Sequence, residues 1–453
     1  MSVFDGKRLP PDVFKLDVER MRRGWYSDKY FERIMRILRQ ADLQGYRFQG
    51  EARRLPEVDL SSVDVGTMEV EMQWFPRRTP FCVLAGVDKA LAMLQTCTGY
   101  FDDEGQFVNT YDQLEVWAAQ DGQLVPYDGA PLHVTPVLRV RGRYRDFAIL
   151  ETPTIGALTR GSRIATNVYE IMCAAAGKPV FFFPARFDAH EIQAMDGYAY
   201  RIGVELFNRT QGAHLGILIS TDAQGDWWGG AGGGTVAHAA IACFLGDISE
   251  AMLAFARYVD PEVPRIALVD FENDSVGDSL RTMRRMFALW AEQTAAGDEA
   301  EAQRYKLHAV RLDTSGHVRD VNVPPLGDRR LDCGVNPRLV WIVRDALDQA
   351  WRDWDIPAQW RDWARDWCRD VKIVATGGFD PERIRLFESL AVPVDYYGVG
   401  SWLMSNCSHC GTSNDFTADV VRIKINGEWR DLAKVGRTAC DNAQLEPVQV
   451  PAM

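Results

Sequence analysis

Between residues 180 and 401 the chain repeats one pattern, a short run of β-branched and aromatic residues ending in a polar or glycine-rich tip. The tips read PAR after VFFF, STD after LGILI, then GGGTVAH, VDFEND, VRLDTSG, VATGGFD and YYGVGS. Helical stretches fall between them, near 155–175, 190–207, 236–258, 275–298, 335–353 and 381–390. Strands alternating with helices at this spacing pair in parallel through right-handed crossovers. In a barrel built this way the C-terminal strand ends share one face, and active sites form there. The expected fold is therefore α/β, a (β/α) barrel over 147–405.

The chain of 453 residues exceeds one such barrel of about 250 residues, so further units are expected. Residues 1–146 divide into helical periodicity over 12–42, interrupted by WYSDKYF, and a β-rich lobe over roughly 45–145. There Thr67–Trp74 alternates as a strand, 83–99 reads as an apolar helix, and LEVWAAQDGQLVP and APLHVTPVLRV read as strands. The C-terminal segment, 406–453, returns to strand periodicity in DVVRIKI and EWRDLAKV, and is expected to pack on the N-terminal lobe. In 341–368, spacings of three and four put Trp360, Trp363 and Trp367 on one helical face. Packing on the barrel or on a neighbouring subunit accounts for that face more simply than an aromatic ligand box.

A net charge of −12 argues against nucleic acid, which needs a basic face, but leaves room for a local basic pocket. No apolar run is long enough to span a membrane, and MSVFDGKRLPPDVFKLD lacks the apolar core of a signal peptide. The nine cysteines are scattered and odd in number, which does not suit a secreted disulfide framework. The expected setting is the cytoplasm. Cys407 and Cys410, with His409 between them and Cys440 downstream, resemble half of a zinc site, but a structural site needs four paired ligands.

The tips carry the chemistry. In KIVATGGFDPERI an apolar strand ends at Gly377 and Gly378, and Asp380 and Pro381 open a helix as N-cap and first helical residue. Glycines permit close backbone approach, and free N–H groups at a helix start bind anions. DYYGVGS adds Gly398 and Gly400 on the following strand, and the last two strands of such barrels commonly form a phosphate cup. In VRLDTSG, Arg311 and Asp313 lie two apart and point to the same side. They form either an internal salt bridge or a pair that holds sugar hydroxyls and an anion. Arg186 in FPAR has the same ambiguity, although a guanidinium suits phosphate geometry. Asp270 ends another buried strand, and Thr221 and Asp222 form the STD tip. His238, one of seven histidines, follows three glycines at a helix start and is either structural or part of the cup.

Taken in order, GWYSDKYFER, ILETPTIGALTRGSRIAT, FPARFDAHE, GGTVAHAAI, LVDFENDS, VRLDTSG, VATGGFDPERI and DYYGVGS resemble the nicotinate phosphoribosyltransferases. The resemblance runs from about residue 24 to 440. It implies the type II phosphoribosyltransferase fold, an irregular (β/α) barrel beside an N-terminal β-rich α+β lobe joined by the C-terminal tail, a homodimer with shared active sites, and transfer of phosphoribose from 5-phosphoribosyl-1-pyrophosphate (PRPP) to nicotinate. It also implies Mg²⁺ and coupling to ATP through a phosphorylated histidine. By this resemblance His238 takes the phosphoryl group, and Tyr30, with Asp28 beside it, stacks on the pyridine ring from the neighbouring subunit. Arg186 and Arg311 meet substrate anions, Asp313 the ribose, and Asp222 the pyridine side. Gly377, Gly378, Gly398 and Gly400 hold the 5-phosphate. The chain departs from the pattern at FPARF, which has one glycine and one arginine fewer, and at STDAQGDWWGGAGGG, where a helix is usual.

The same fold serves nicotinamide and quinolinate phosphoribosyltransferases, and a non-catalytic phosphate-binding barrel is the remaining alternative. A sugar-phosphate aldolase or isomerase would want a lysine or carboxylate base at a strand tip, and no tip carries a lysine.

Overall fold

The structure, a computed structural model, describes residues 4–448. The extreme N-terminus, read above for a leader, lies partly outside that range. One sheet carries the tips. Its five parallel strands run in the order Val180–Phe182, Tyr396–Val399, Lys372–Ala375, Leu307–Leu312, Arg265–Leu268. The sheet does not close into a barrel among the described residues, because its edge strands, Val180–Phe182 and Arg265–Leu268, do not pair.

The expected strand at LGILI shrinks to a single parallel bridge, Phe182 to Ile219, and GGGTVAH forms no strand. Glycine loses the most conformational freedom on ordering and offers no side chain to pack, so a glycine run is a poor strand. This run folds tightly on itself instead. A Cβ on Gly225 would lie 1.9 Å from Gly230 O, and one on Gly232 would lie 2.7 Å from the Thr221 carbonyl carbon. Gly233 N–H bonds Ile219 O, and Thr235 reaches Arg311, so the run lines the gap that a further strand would have filled.

Helices cover this sheet close to the expected places: Glu151–Ala174, Gln193–Gln211, Ile248–Tyr258, Ser275–Ala296, Pro337–Gln349 and Pro381–Ser389. The expected 236–258 helix is divided. His238–Cys243 stops where Leu245 and Gly246 take left-handed backbone conformations, and Asp247 caps the next helix.

The other large sheet is antiparallel and joins the two chain ends. Its order is Glu428–Asp431, Phe416–Ile425, Glu69–Pro76, Leu138–Arg143, Glu115–Ala118, Glu446–Pro447. Trp74 faces Ala418 in register, so the C-terminal strand is built into the N-terminal lobe as expected. Buried Glu71 takes both Arg141 and Arg422 there, the arrangement a buried carboxylate requires. Upstream, Val18–Arg22 and Lys29–Leu43 are helical, so the break covers only the first part of WYSDKYF and its KYF end already lies in the second helix; Val87–Cys97 is the apolar helix.

The tryptophan-rich segment is packing. Trp354 and Trp367 are buried against Phe287, and Trp363 meets Trp290 edge-on.

Candidate active site

Four of the tips converge at the C-terminal edge of the parallel sheet. Arg311, at the end of Leu307–Leu312, spreads its guanidinium over three neighbours. Its Nε donates to Thr376 Oγ1 at 3.1 Å, its Nη1 to Thr235 Oγ1 at 2.8 Å and its Nη2 to Asp313 Oδ2 at 2.9 Å. Thr376, the residue before the glycine pair, donates to Asp313 Oδ1 at 2.6 Å. The salt bridge exists, and it orients a carboxylate that remains a fifth exposed at the mouth.

His238 Nε2 and Asp270 Oδ1 lie 3.0 Å apart, with the imidazole half exposed and the carboxylate 8% exposed. Burial raises the Asp270 pKa, the neighbouring His238 charge lowers it, and the Asp313 charge raises it again. The two carboxylates thus lie within electrostatic reach of each other, one bonded to a histidine and the other to an arginine.

The glycines occupy their expected places for two different reasons. Gly377 and Gly378 have φ of +92° and +72°, conformations that disfavour a side chain. Gly398 is needed for space. A Cβ there would sit 2.5 Å from Thr376 Cγ2 and 2.8 Å from the Phe183 ring. Gly400 is similar, with Phe187 at 2.6 Å from such a Cβ. The N–H groups of Gly378 and Phe379 find no acceptor among the described residues, and both glycines are exposed. Adjacent free amides before the helix Pro381–Ser389, capped by Asp380, are groups of the kind that can hold an anion.

Other expected site residues stand apart. Arg186 is exposed, its guanidinium 5.7 Å from the Phe187 ring centroid, with no hydrogen bond or ion pair among the described residues. Asp222 Oδ1 accepts the Gly232 N–H at 2.8 Å, and Thr221 caps its own short turn and bonds Gln193. Both brace the glycine run. Asp28 and Tyr30 belong to the N-terminal lobe, where Asp28 bonds Thr152 and Tyr30 reaches Asp28 at 3.4 Å. They touch none of the tips within this chain, and Tyr30 is 61% exposed.

Cys407 and Cys410 are joined as a disulfide, while Cys440 bonds Gln73 and Leu132. Among the described residues these cysteines belong to no group of three or more metal-holding side chains.

The sequence reading missed Phe183, Thr376 and Arg383. Phe183 stacks on Phe181 at 5.3 Å and lies under the Arg311 guanidinium. Its signal was its place at the end of VFFF, directly before the tip. Thr376 was hidden inside the strand run that it ends. Arg383 donates to the Gly377 and Gly378 carbonyls from the following helix.

No protein-family profile matches the sequence. Among solved structures, nicotinate-nucleotide pyrophosphorylase from Pyrococcus furiosus is similar with a TM-score of 0.60 and 25% identity, over 96% of this chain and 85% of that one. Human nicotinic acid phosphoribosyltransferase shares the fold with a TM-score of 0.50 and 15% identity, over 80% of this chain and 72% of its own. The chain shares the type II phosphoribosyltransferase fold, as the order of its motifs implied.

Proposed function

We propose that the protein is a nicotinate phosphoribosyltransferase, forming nicotinate mononucleotide and pyrophosphate from nicotinate and PRPP. The observation that carries the reading is the free amide pair of Gly378 and Phe379 on the same sheet edge as Asp313, Arg311, Asp270 and His238. The amides suit the 5-phosphate, and the carboxylate at the next tip suits the ribose hydroxyls. The Pyrococcus furiosus neighbour is named for nicotinate nucleotide and pyrophosphate, the two products of this reaction.

Phosphoribosyl transfer places oxocarbenium character on the anomeric carbon as pyrophosphate leaves. The protein needs to hold the ring nitrogen in line and to stabilise charge on the leaving group; little proton transfer is involved. Arg186, beside the Val180–Phe182 strand and with no hydrogen bond or ion pair among the described residues, is a cation free to meet an anion. Asp270 and Asp313 are the carboxylates that would hold Mg²⁺ alongside the substrate phosphates, and the ion would add positive charge at the pyrophosphate. In an ATP-coupled reaction His238 would accept the terminal phosphoryl group. With Nε2 held by Asp270, Nδ1 is the nucleophilic nitrogen, and ADP leaves as the N–P bond forms.

Nicotinate is favoured over nicotinamide because the acidic group that would repel a carboxylate, Asp222, is turned onto the Gly232 amide. A guanidinium also holds a carboxylate by charge-assisted bonds that an amide does not match. The test compares kcat/KM for nicotinate, nicotinamide and quinolinate at saturating PRPP. Nicotinate should lead, and a ratio favouring either other base overturns the assignment.

A further inference from the structure

Arg383 lies in the first turn of the helix Pro381–Ser389, and its guanidinium folds back beneath the glycine turn. Nη1 donates to Gly377 O at 2.7 Å and to Gly378 O at 3.2 Å, and Nη2 donates to Val335 O at 2.6 Å. The same guanidinium covers the Phe379 ring at 4.3 Å from its centroid. The backbone N–H of Arg383 is held by the Asp380 cap at 2.8 Å, so the side chain starts from a fixed point.

The geometry has a direct consequence for the amides. In a trans peptide the C=O and the following N–H point in opposite directions. The carbonyls of Gly377 and Gly378 belong to the same peptide units as the N–H groups of Gly378 and Phe379, and neither unit is cis. A single guanidinium that pulls both carbonyls inward therefore turns both amides outward, side by side. Neither of these amides has an acceptor among the described residues. A cation behind the carbonyls also polarises the peptide units and strengthens their N–H groups as donors. The third bond, to Val335, ties the turn to the segment that follows the Asp313 tip. Val335 is fully buried, which makes it a firm anchor.

We propose that Arg383 is a positioning residue for phosphate-monoester binding, setting the paired amides of the Gly377–Phe379 turn without touching the ligand itself. The proposal rests on the reading of that turn as the 5-phosphate cradle. It predicts that the loss falls on the phosphate end of PRPP alone.

The probes are PRPP and ribose 5-phosphate, which keeps the 5-phosphate but lacks the pyrophosphate, both measured by calorimetry on the intact protein. Arg383→Met should weaken both ligands by on the order of tenfold or more, to the same extent, since each amide to a phosphate is a charge-assisted bond. The KM for the base and kcat at saturating PRPP should stay within about twofold, because Arg383 reaches neither. Arg383→Lys retains the charge and the stem over Phe379 but lacks the fork that spans two carbonyls, so it should fall between the two. If Arg383→Met does not fold, the Lys variant carries the test, and its unchanged affinity for ribose 5-phosphate overturns the proposal. A lowered Tm with unaltered affinity for both probes would show a purely structural role and also overturns it. If the wild-type protein binds neither probe, the cradle itself is misassigned and both readings fall together. Wild-type binding with an indifferent Arg383→Met removes only this inference.

Discussion

At the scale of single residues, the site is decided by which polar groups are already taken. Arg311 spends three of its donors on Thr235, Thr376 and Asp313, whereas Arg186 has none engaged among the described residues, so two arginines at tips have different work. His238 is half exposed with one ring nitrogen held by Asp270. Replacing it by alanine should abolish any stimulation by ATP while leaving slow synthesis, since both substrates are still positioned; assays with and without ATP read this. Persisting stimulation would return His238 to a structural role. Glu151, close to Asp28, offers a test apart from the glycine edge. Burial, followed by the Asp419 charge, pushes its carboxyl up to about 8, opposed by the Tyr144 hydroxyl and raised further by Asp28. A raised carboxyl stabilises the fold below its unfolded value near ~4.3 and loses that contribution as pH rises through about 8. Thermal melts from pH 5 to 8.5 should therefore show a fall in stability that Glu151→Gln flattens. Equal slopes in the two proteins would show that Glu151 does not carry the effect.

Between elements, the tips depend on close approach of neighbouring strands. Gly398 lets Tyr396–Val399 pass against Thr376 and Phe183, and Thr376 in turn holds Asp313. Gly398→Val should lower stability by about 1–3 kcal/mol through overpacking and depress activity by moving Thr376; denaturant melts with parallel assays check both. Unaltered stability would mean that the strands have room the geometry denies. The tips themselves were legible in sequence because glycines and carboxylates interrupt apolar runs at fixed places, and the local chemistry of Asp380 and Pro381 marks a helix start. The failure of the sheet to close was not legible. It depends on whether LGILI finds a partner across the gap, which is a non-local pairing, and the glycine run that prevents it looked like one more tip. Arg383 escaped notice for a related reason. On a helical pattern it reads as a solvated charge, and only the backward fold of its side chain onto two carbonyls reveals its place.

For the whole molecule, the antiparallel sheet welds the chain ends together, and the N-terminal lobe then presents Trp25 and Tyr30, 68% and 61% exposed. Aromatic surface of this extent suits an interface better than water, and a neighbouring subunit is the occupant that the shared-site reading requires. Mixing Tyr30→Ala with Gly378→Val should then restore about a quarter of wild-type activity after subunit exchange, because each mixed dimer rebuilds one intact site. Exchange without recovery would place each site within one chain. The central claim, phosphoribosyl transfer at the glycine edge, is met most directly by incubating the purified protein with nicotinate and PRPP and quantifying products. The account predicts nicotinate mononucleotide and pyrophosphate in equal amounts, formed only when PRPP is present. Nicotinate left unconsumed by folded protein with PRPP and Mg²⁺, with and without ATP, would contradict it.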